Sequence, residues 1–274
     1  MFKNLSLKTL NIKTGLRESL RLAALGNFEG MDIDIEKTAA LSREHSMPYI
    51  RGMFDSFNIK PGAWALPFSL DCPSSDFTAS LGKLEHGLPL AKEIGATRIL
   101  ANFPENPALT EERDSSLLDR LLTLCKTLHK YGCRIGLAIP EKQLSVNTGK
   151  NNYSPLVNKA LSLCREVKTA NAGILLDARA WIASGRKPEE LKEMENRDIV
   201  YARIPTAEEP SKEATPGDQG SLNLFCVLQS LEKIGYDGPL SPGAENKKLT
   251  MLPPDMAVIL AGGYLSGLLK KAFT

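Results

Sequence analysis

From one end of this 274-residue chain to the other, short apolar runs alternate with helix-like segments. No other feature constrains the fold as strongly. The strand candidates are Leu5–Ile12, Met31–Ile35, Lys60–Phe68, Thr97–Asn102, Arg134–Ile139, Ala172–Asp177, Ile199–Ile204 and Pro239–Ser241. Several are continuously apolar rather than alternating, as strands of a parallel sheet are when both faces are buried. The intervening segments read as helices. Leu16–Leu25 is one, and a helical stretch ending at Phe57 is the next. A helix capped by Ser75 or Asp76 runs to Ile94, and others cover Asp114–Tyr131 and Pro155–Thr169. A short helix follows Pro188, and the last two are Leu222–Ile234 and Asp255–Ala272. In Asp114–Tyr131 the leucines at 117, 118, 121, 122, 124 and 128 form a helical stripe. Strand–helix–strand crossovers are right-handed, and eight of them close into a ring. The expected fold is therefore α/β, a single-domain (β/α)8 TIM barrel spanning residues 1–274. A doubly wound open sheet would carry a glycine-rich phosphate turn after its first strand, and Asn11–Gly15 is not one.

Composition excludes several function classes. The net charge is only +2, and basic residues are scattered, so nothing in the charge pattern suggests a nucleic-acid partner. The five cysteines form no C-x-x-C pair, and as small buried apolar residues they fit a reducing compartment. The N-terminal residues lack a signal-like apolar core, and no unbroken apolar run reaches ~18 residues. A complete cytoplasmic protein without a membrane partner is the expectation. His45, His86 and His129 all fall in helical segments rather than at strand ends, so neither a Ser-His-Asp nor a Cys-His set is visible.

In a barrel of this kind the chemistry sits at the C-terminal ends of the strands. The run from Asn171 to Arg186 brings one carboxylate, Asp177, to such an end, followed by a turn containing Trp181 and then Gly185. Other residues expected at the mouth are Lys13, Asp32 or Asp34, Asn102, Arg179 and Arg203. Asp32 and Asp34 lie two apart on one strand, so they read either as an acid–base pair or as two polar plugs. Asn147–Tyr153 reads as a lid or an exposed loop.

Several stretches, in order, resemble the xylose isomerase-like superfamily of sugar isomerases, epimerases and related endonucleases. They are LRLAALGNFEGMDI (Leu20–Ile33), KEIGATR (Lys92–Arg98), LDARAW (Leu176–Trp181) with Ser184 and Gly185, PGDQG (Pro216–Gly220) and GYDGP (Gly235–Pro239). That resemblance implies one divalent metal held by a Glu after strand five, an Asp after strand six, a His after strand seven and a Glu after strand eight. Carried onto this chain, these positions fall on Ala138 or Ile139, Asp177, Arg203 and Gly243. The family's companion His falls on Ala180, and a further Asp falls on Thr206. Only Asp177 keeps the family's residue type, so no metal and no other cofactor is expected.

Two readings of the mouth follow. In the first, Asp177 and Arg203 form an ion pair in the space of the metal, or Arg203 and Lys13 hold an anionic group while Asp177 and Asn102 take hydroxyls, with Trp181 nearby. The protein would then bind a small polyol or acidic metabolite, with the isomerase centre lost. In the second, a metal-dependent sugar or sugar-phosphate isomerase survives on shifted ligands Glu141, Asp177 and Glu245. A homodimer is a further expectation, whereas an endonuclease would need a histidine-rich metal cluster.

Overall fold

A computed structural model describes residues 1–104, 111–140, 153–205, 219–243 and 247–274. Among the described residues, nine parallel strand segments form one sheet. They are β1 (Phe2–Leu5), β2 (Gly30–Met31), β3 (Lys60–Pro61), β4 (Ala63–Ala65), β5 (Arg98–Asn102), β6 (Arg134–Ala138), β7 (Ala172–Asp177), β8 (Ile199–Ile204) and β9 (Pro239–Pro242), in the spatial order β3-β2-β1-β9-β8-β7-β6-β5-β4. β3 and β4 are two halves of one strand interrupted at Gly62, so the two ends of the list are joined by the chain. The Gly62 amide donates to the Met31 carbonyl at 2.7 Å and the Ile33 amide to the Ala63 carbonyl at 2.9 Å. These bonds close the (β/α)8 barrel that the alternation of runs implied.

Around the barrel run α1 (Leu16–Leu25), α2 (Ile35–Glu44), α3 (Met47–Phe57), α4 (Ser74–Ile94), α5 (Glu111–His129), α6 (Tyr153–Glu166), α7 (Ala178–Ala183), α8 (Gln219–Lys233), α9 (Lys247–Thr250) and α10 (Pro254–Phe273). Local chemistry explains the boundaries. Asp34 caps α2 by accepting from the Lys37 amide at 3.0 Å. Ser46 caps α3, which divides the single stretch expected before Phe57 into two helices. α4 ends at Gly95 in a left-handed conformation that favours glycine. Neither Ser75 nor Asp76 caps α4, which begins one residue after Pro73. The segment after Pro188 is a 3-10 helix, Pro188–Glu193, and the turn expected at Trp181 is the helix α7.

Alternate strand residues face outward and inward. Ile99, Ala101, Ile135, Leu137, Ile174, Leu176, Ala202 and Ile204 point outward into the main core against the helices. Burial contributes ~1.5–3 kcal/mol for each of the large aliphatic side chains in this layer. Within the lumen, Ala63, Leu175 and Tyr201 pack with Leu100 and Ala138. A register irregularity between Ile174 and Leu175 sets Tyr201 opposite Leu175 and Arg203 opposite Asp177.

The first strand differs from expectation. The run Leu5–Ile12 mimics a strand, but pairing ends at Leu5, and residues 7–11 are turn. Thr9 Oγ1 bonds the Ser6 carbonyl at 2.8 Å and Asn11 has φ 55°. Short polar side chains bonding nearby backbone compete with the sheet ladder here.

Candidate functional site at the strand ends

The C-terminal rim of the barrel is built where β5, β6, β7 and β8 stop. Backbone register sets Asn102 opposite Ala138 and Asp177 opposite Arg203. Asn102 is exposed, Ala138 half-buried and Asp177 buried. Asp177 Oδ1 accepts from the Ala180 amide at 2.9 Å, capping α7. Its Oδ2 lies 3.6 Å from Arg203 Nη1, an ion pair whose arginine side chain is 26% exposed and whose aspartate is 5% exposed. Among the described residues Oδ2 accepts no hydrogen bond. The carboxylate is thus held by the first turn of α7 on one side and a guanidinium on the other. The guanidinium is the part that solvent reaches.

Below the rim lies a polar cluster of which Asp32 is the one member expected from the sequence. Asp32, just past β2, accepts from Asn4 Nδ2 at 2.8 Å and from the Ala63 amide at 3.0 Å, while the Tyr201 hydroxyl donates to its other oxygen at 2.8 Å. Asn4 Nδ2 also reaches the Tyr201 hydroxyl at 3.1 Å. Burial raises the Asp32 carboxyl above its ordinary range, against the pull of Asn4, Tyr201, Ala63 and Ser6. Burial, and then the charge of Asp32, push the Tyr201 phenol well above its ordinary value. Asn4 and Tyr201 were missed, although each is a polar residue at an inward-facing strand position. Their signal is the phase of the alternation, read against a correct first strand.

The remaining expectations divide. Asp34 does not pair with Asp32, because it faces solvent as the α2 cap and ion-pairs with Lys37 at 3.1 Å. The structure places Trp181 in the main core rather than open at the mouth. It is fully buried, its indole donates to the Lys187 carbonyl at 3.1 Å, and Arg186 stacks on its ring at 4.2 Å. An aromatic one turn into α7 lands in the packing layer behind the strand. Lys13 is exposed in the loop eight residues beyond β1, not at a strand end. Arg179 is exposed on α7, and His45, His86 and His129 are all exposed. Tyr153 is not loop but the buried first residue of α6. Glu141, Asn147, Thr206, Pro216 and Glu245 lie outside the described residues.

The described side chains do not fit a divalent cation. Ala138 faces the lumen at the fifth-strand position, while Ile139 packs in the outer core. Ala180 is buried and Gly243 has no side chain to offer. No group of three His, Cys, Asp or Glu side chains with metal-holding geometry occurs among the described residues. Arg203 opposes a cation directly: at ~4 Å and an effective dielectric near 20, a guanidinium repels a divalent ion by about 8 kcal/mol. A cavity of about 490 Å³ lies at the opposite end of the barrel, between Phe2, Arg51, Lys60, Lys92 and Arg98. In this fold that face carries stability rather than chemistry.

The model of the xylose isomerase-like TIM barrel family matches residues 20–261. An inosose isomerase of Bacillus velezensis is 24% identical over 240 residues, covering 83% of this chain and 82% of its own length. Among solved structures, a xylose isomerase domain protein from Alicyclobacillus acidocaldarius superposes with a TM-score of 0.79 at 20% identity, covering 100% of both chains. The IOLI protein, solved with a zinc atom, superposes at 0.75 with 22% identity, also over 100% of both chains. The barrel closure, the strand order and the family match agree, and this chain belongs to the xylose isomerase-like TIM barrel family.

Proposed function

We propose that this barrel binds a small polyhydroxylated or acidic metabolite at its strand-end mouth, and does so without the divalent metal of its sugar-isomerising relatives. The observation that carries the reading is the Asp177–Arg203 pair, 3.6 Å apart on adjacent strands, at two positions where the family resemblance implies metal ligands. A guanidinium fixed by a buried carboxylate is a forked donor suited to a carboxylate or a vicinal diol. Exposed Asn102 supplies a hydroxyl partner on the same rim.

Two measurements test this. Calorimetric titration with Mn²⁺, Co²⁺, Zn²⁺ and Mg²⁺ should give no stoichiometric site tighter than micromolar, and such a site would refute the proposal. A thermal-shift panel of inositols, ketoses and aldonic acids should contain stabilising members whose effect disappears in Arg203→Met. A shift that survives Arg203→Met would place the ligand elsewhere.

The relation to an inosose isomerase supports a second reading, in which Glu141, Asp177 and Glu245 hold a metal and the chain isomerises or epimerises a sugar. It predicts that Asp177→Ala removes both bound metal and turnover on ketoses. Unchanged metal content in that variant rules it out.

A further inference from the structure

Folding gathers charge that the sequence scatters. Arg51 on α3, Lys60 on β3, Lys92 on α4 and Arg98 on β5 all line the cavity of about 490 Å³ at the strand starts. Asp55 and Glu93 are the acids in its wall. Four cations against two carboxylates leave an excess of two, as large as the net charge of the whole chain. The volume falls within the range of small-molecule sites, and buried Phe54, Ile59 and Ile94 add apolar lining.

The fold itself makes little use of these charges. Cations often sit at helix C-termini, where they oppose the macrodipole. Only Lys92 does so here, because the last turn of α3 has no basic residue and Lys60 and Arg98 belong to strands. Among the described residues Arg51, Lys60 and Lys92 form no ion pair. Lys60 rests over the Phe2 ring, 5.1 Å from its centre. Arg98, whose side chain is 18% exposed, reaches Asp237 only at 3.4 Å, and that aspartate is 68% exposed. A close charge-assisted bond would measure ~2.7–2.9 Å. The Arg98 Nε is buried and has no hydrogen-bond partner among the described residues. Arg134 stands beside Arg98 in register on β6, and burial, then the charge of Arg98, lower its guanidinium below the ordinary value. An anion would relieve the crowded cations, and it could reach a guanidinium that the protein leaves partly unbonded.

We infer that this cavity is a binding site for a small phosphate monoester, its phosphate held among Arg51, Lys60, Lys92 and Arg98 and its organic body lying on Phe54, Ile59 and Ile94. A phosphate monoester carries a charge of about −1.5 to −2 at neutral pH, which answers an excess of two, whereas a single carboxylate would answer half of it. The forked donors of the arginines suit its oxygens, and the lysines act as point charges. A bare inorganic ion would leave the apolar lining in water, so the lining assigns an organic body to the ligand. The inference is independent of what the mouth binds, because the two sites lie at opposite ends of the barrel. It asks no chemistry of this face: the ester is held there and not converted.

Calorimetric titration of the full chain with adenosine monophosphate and with glucose 6-phosphate, at low ionic strength, should give at least one dissociation constant below ~1 mM. Adenosine and glucose should give none. Failure of both esters to bind, or equal binding of the compounds without phosphate, overturns the inference. Inorganic phosphate should bind about tenfold more weakly than the better ester. Equal affinity would mean an adventitious ion only, and would overturn it. Arg51 and Lys60 are exposed, so the double variant Arg51→Gln, Lys60→Gln should melt as the parent does while its ester affinity falls about tenfold or more. Undiminished affinity in that variant overturns the site. Loss of ester binding in Arg203→Met would place the ligand at the mouth, with the same consequence.

Discussion

Gly62 is the point at which the barrel closes, and replacing it with alanine should be among the most damaging single-methyl additions in the chain. A Cβ there would run into the Asn4 carboxamide, 2.7 Å from its Cγ and 2.9 Å from its Nδ2, with Oδ1 nearer still. Asn4 is fully buried and cannot swing away, because its Nδ2 is bonded to Asp32 at 2.8 Å and to Tyr201 at 3.1 Å. Forcing a methyl group into a packed interior costs about 1–3 kcal/mol. Displacing the amide leaves buried polar groups short of partners at about 1–3 kcal/mol each. The total for Gly62→Ala is about 3–5 kcal/mol, a large share of the ~5–15 kcal/mol that holds a typical domain folded. The clash has a named partner, so it predicts a coupling. Asn4→Ala alone should cost about 2 kcal/mol through its lost hydrogen bonds. In that background Gly62→Ala should cost little, because the methyl enters the vacated space. Urea unfolding of the four proteins, followed by far-ultraviolet circular dichroism and tryptophan fluorescence, closes the cycle. Strict additivity, or a Gly62→Ala cost below about 1 kcal/mol, would refute the steric account.

Asp32 should give the protein a distinctive pH dependence. Its carboxyl is raised by burial, so the folded chain holds this proton more tightly than the unfolded chain. Its contribution to stability should therefore fall as pH rises from the unfolded value near ~4 through the folded value, then level off. The wild-type minus Asp32→Asn difference in unfolding free energy, measured from pH 4 to pH 8, should show that decline, and a flat difference refutes it. Arg203→Met should destabilise by about 1–3 kcal/mol by leaving Asp177 without its cation, the cost being moderated by the arginine's 26% exposure. Adding Asp177→Asn should restore most of this loss, since an amide oxygen can still cap α7, and absence of rescue in chemical denaturation would argue against the pair. Trp181→Phe should cost about 1–3 kcal/mol through the lost indole bond and volume. It should leave any metabolite-induced thermal shift unchanged, and a lost shift would return Trp181 to the site.

The architecture is legible in the chain alone, because a parallel barrel is written in local periodicity. Apolar runs such as Ile199–Ile204 and Ala172–Asp177 are buried on both faces wherever they fold, and their observed bounds match the runs residue for residue. Reading failed where local signals competed. Leu5–Ile12 has the alternation of a strand, yet the Thr9 side chain bonds backward to the Ser6 carbonyl and the ladder ends at Leu5. That one displacement hid Asn4 and moved Lys13 away from the rim.

The site, by contrast, depends on how the strands pair around the closed ring. Whether Ala138 or Ile139 faces the lumen depends on strand phase. Whether Asp177 meets Arg203 depends on a register irregularity between β7 and β8. The bonds among Asn4, Asp32 and Tyr201 span 28 to 197 positions of chain. Trp181, six residues before Lys187 in an uninterrupted stretch, was pulled the other way, into the packing layer. A strand's face is set by which neighbour it pairs with and at what offset, and both are properties of the closed ring rather than of any segment within it.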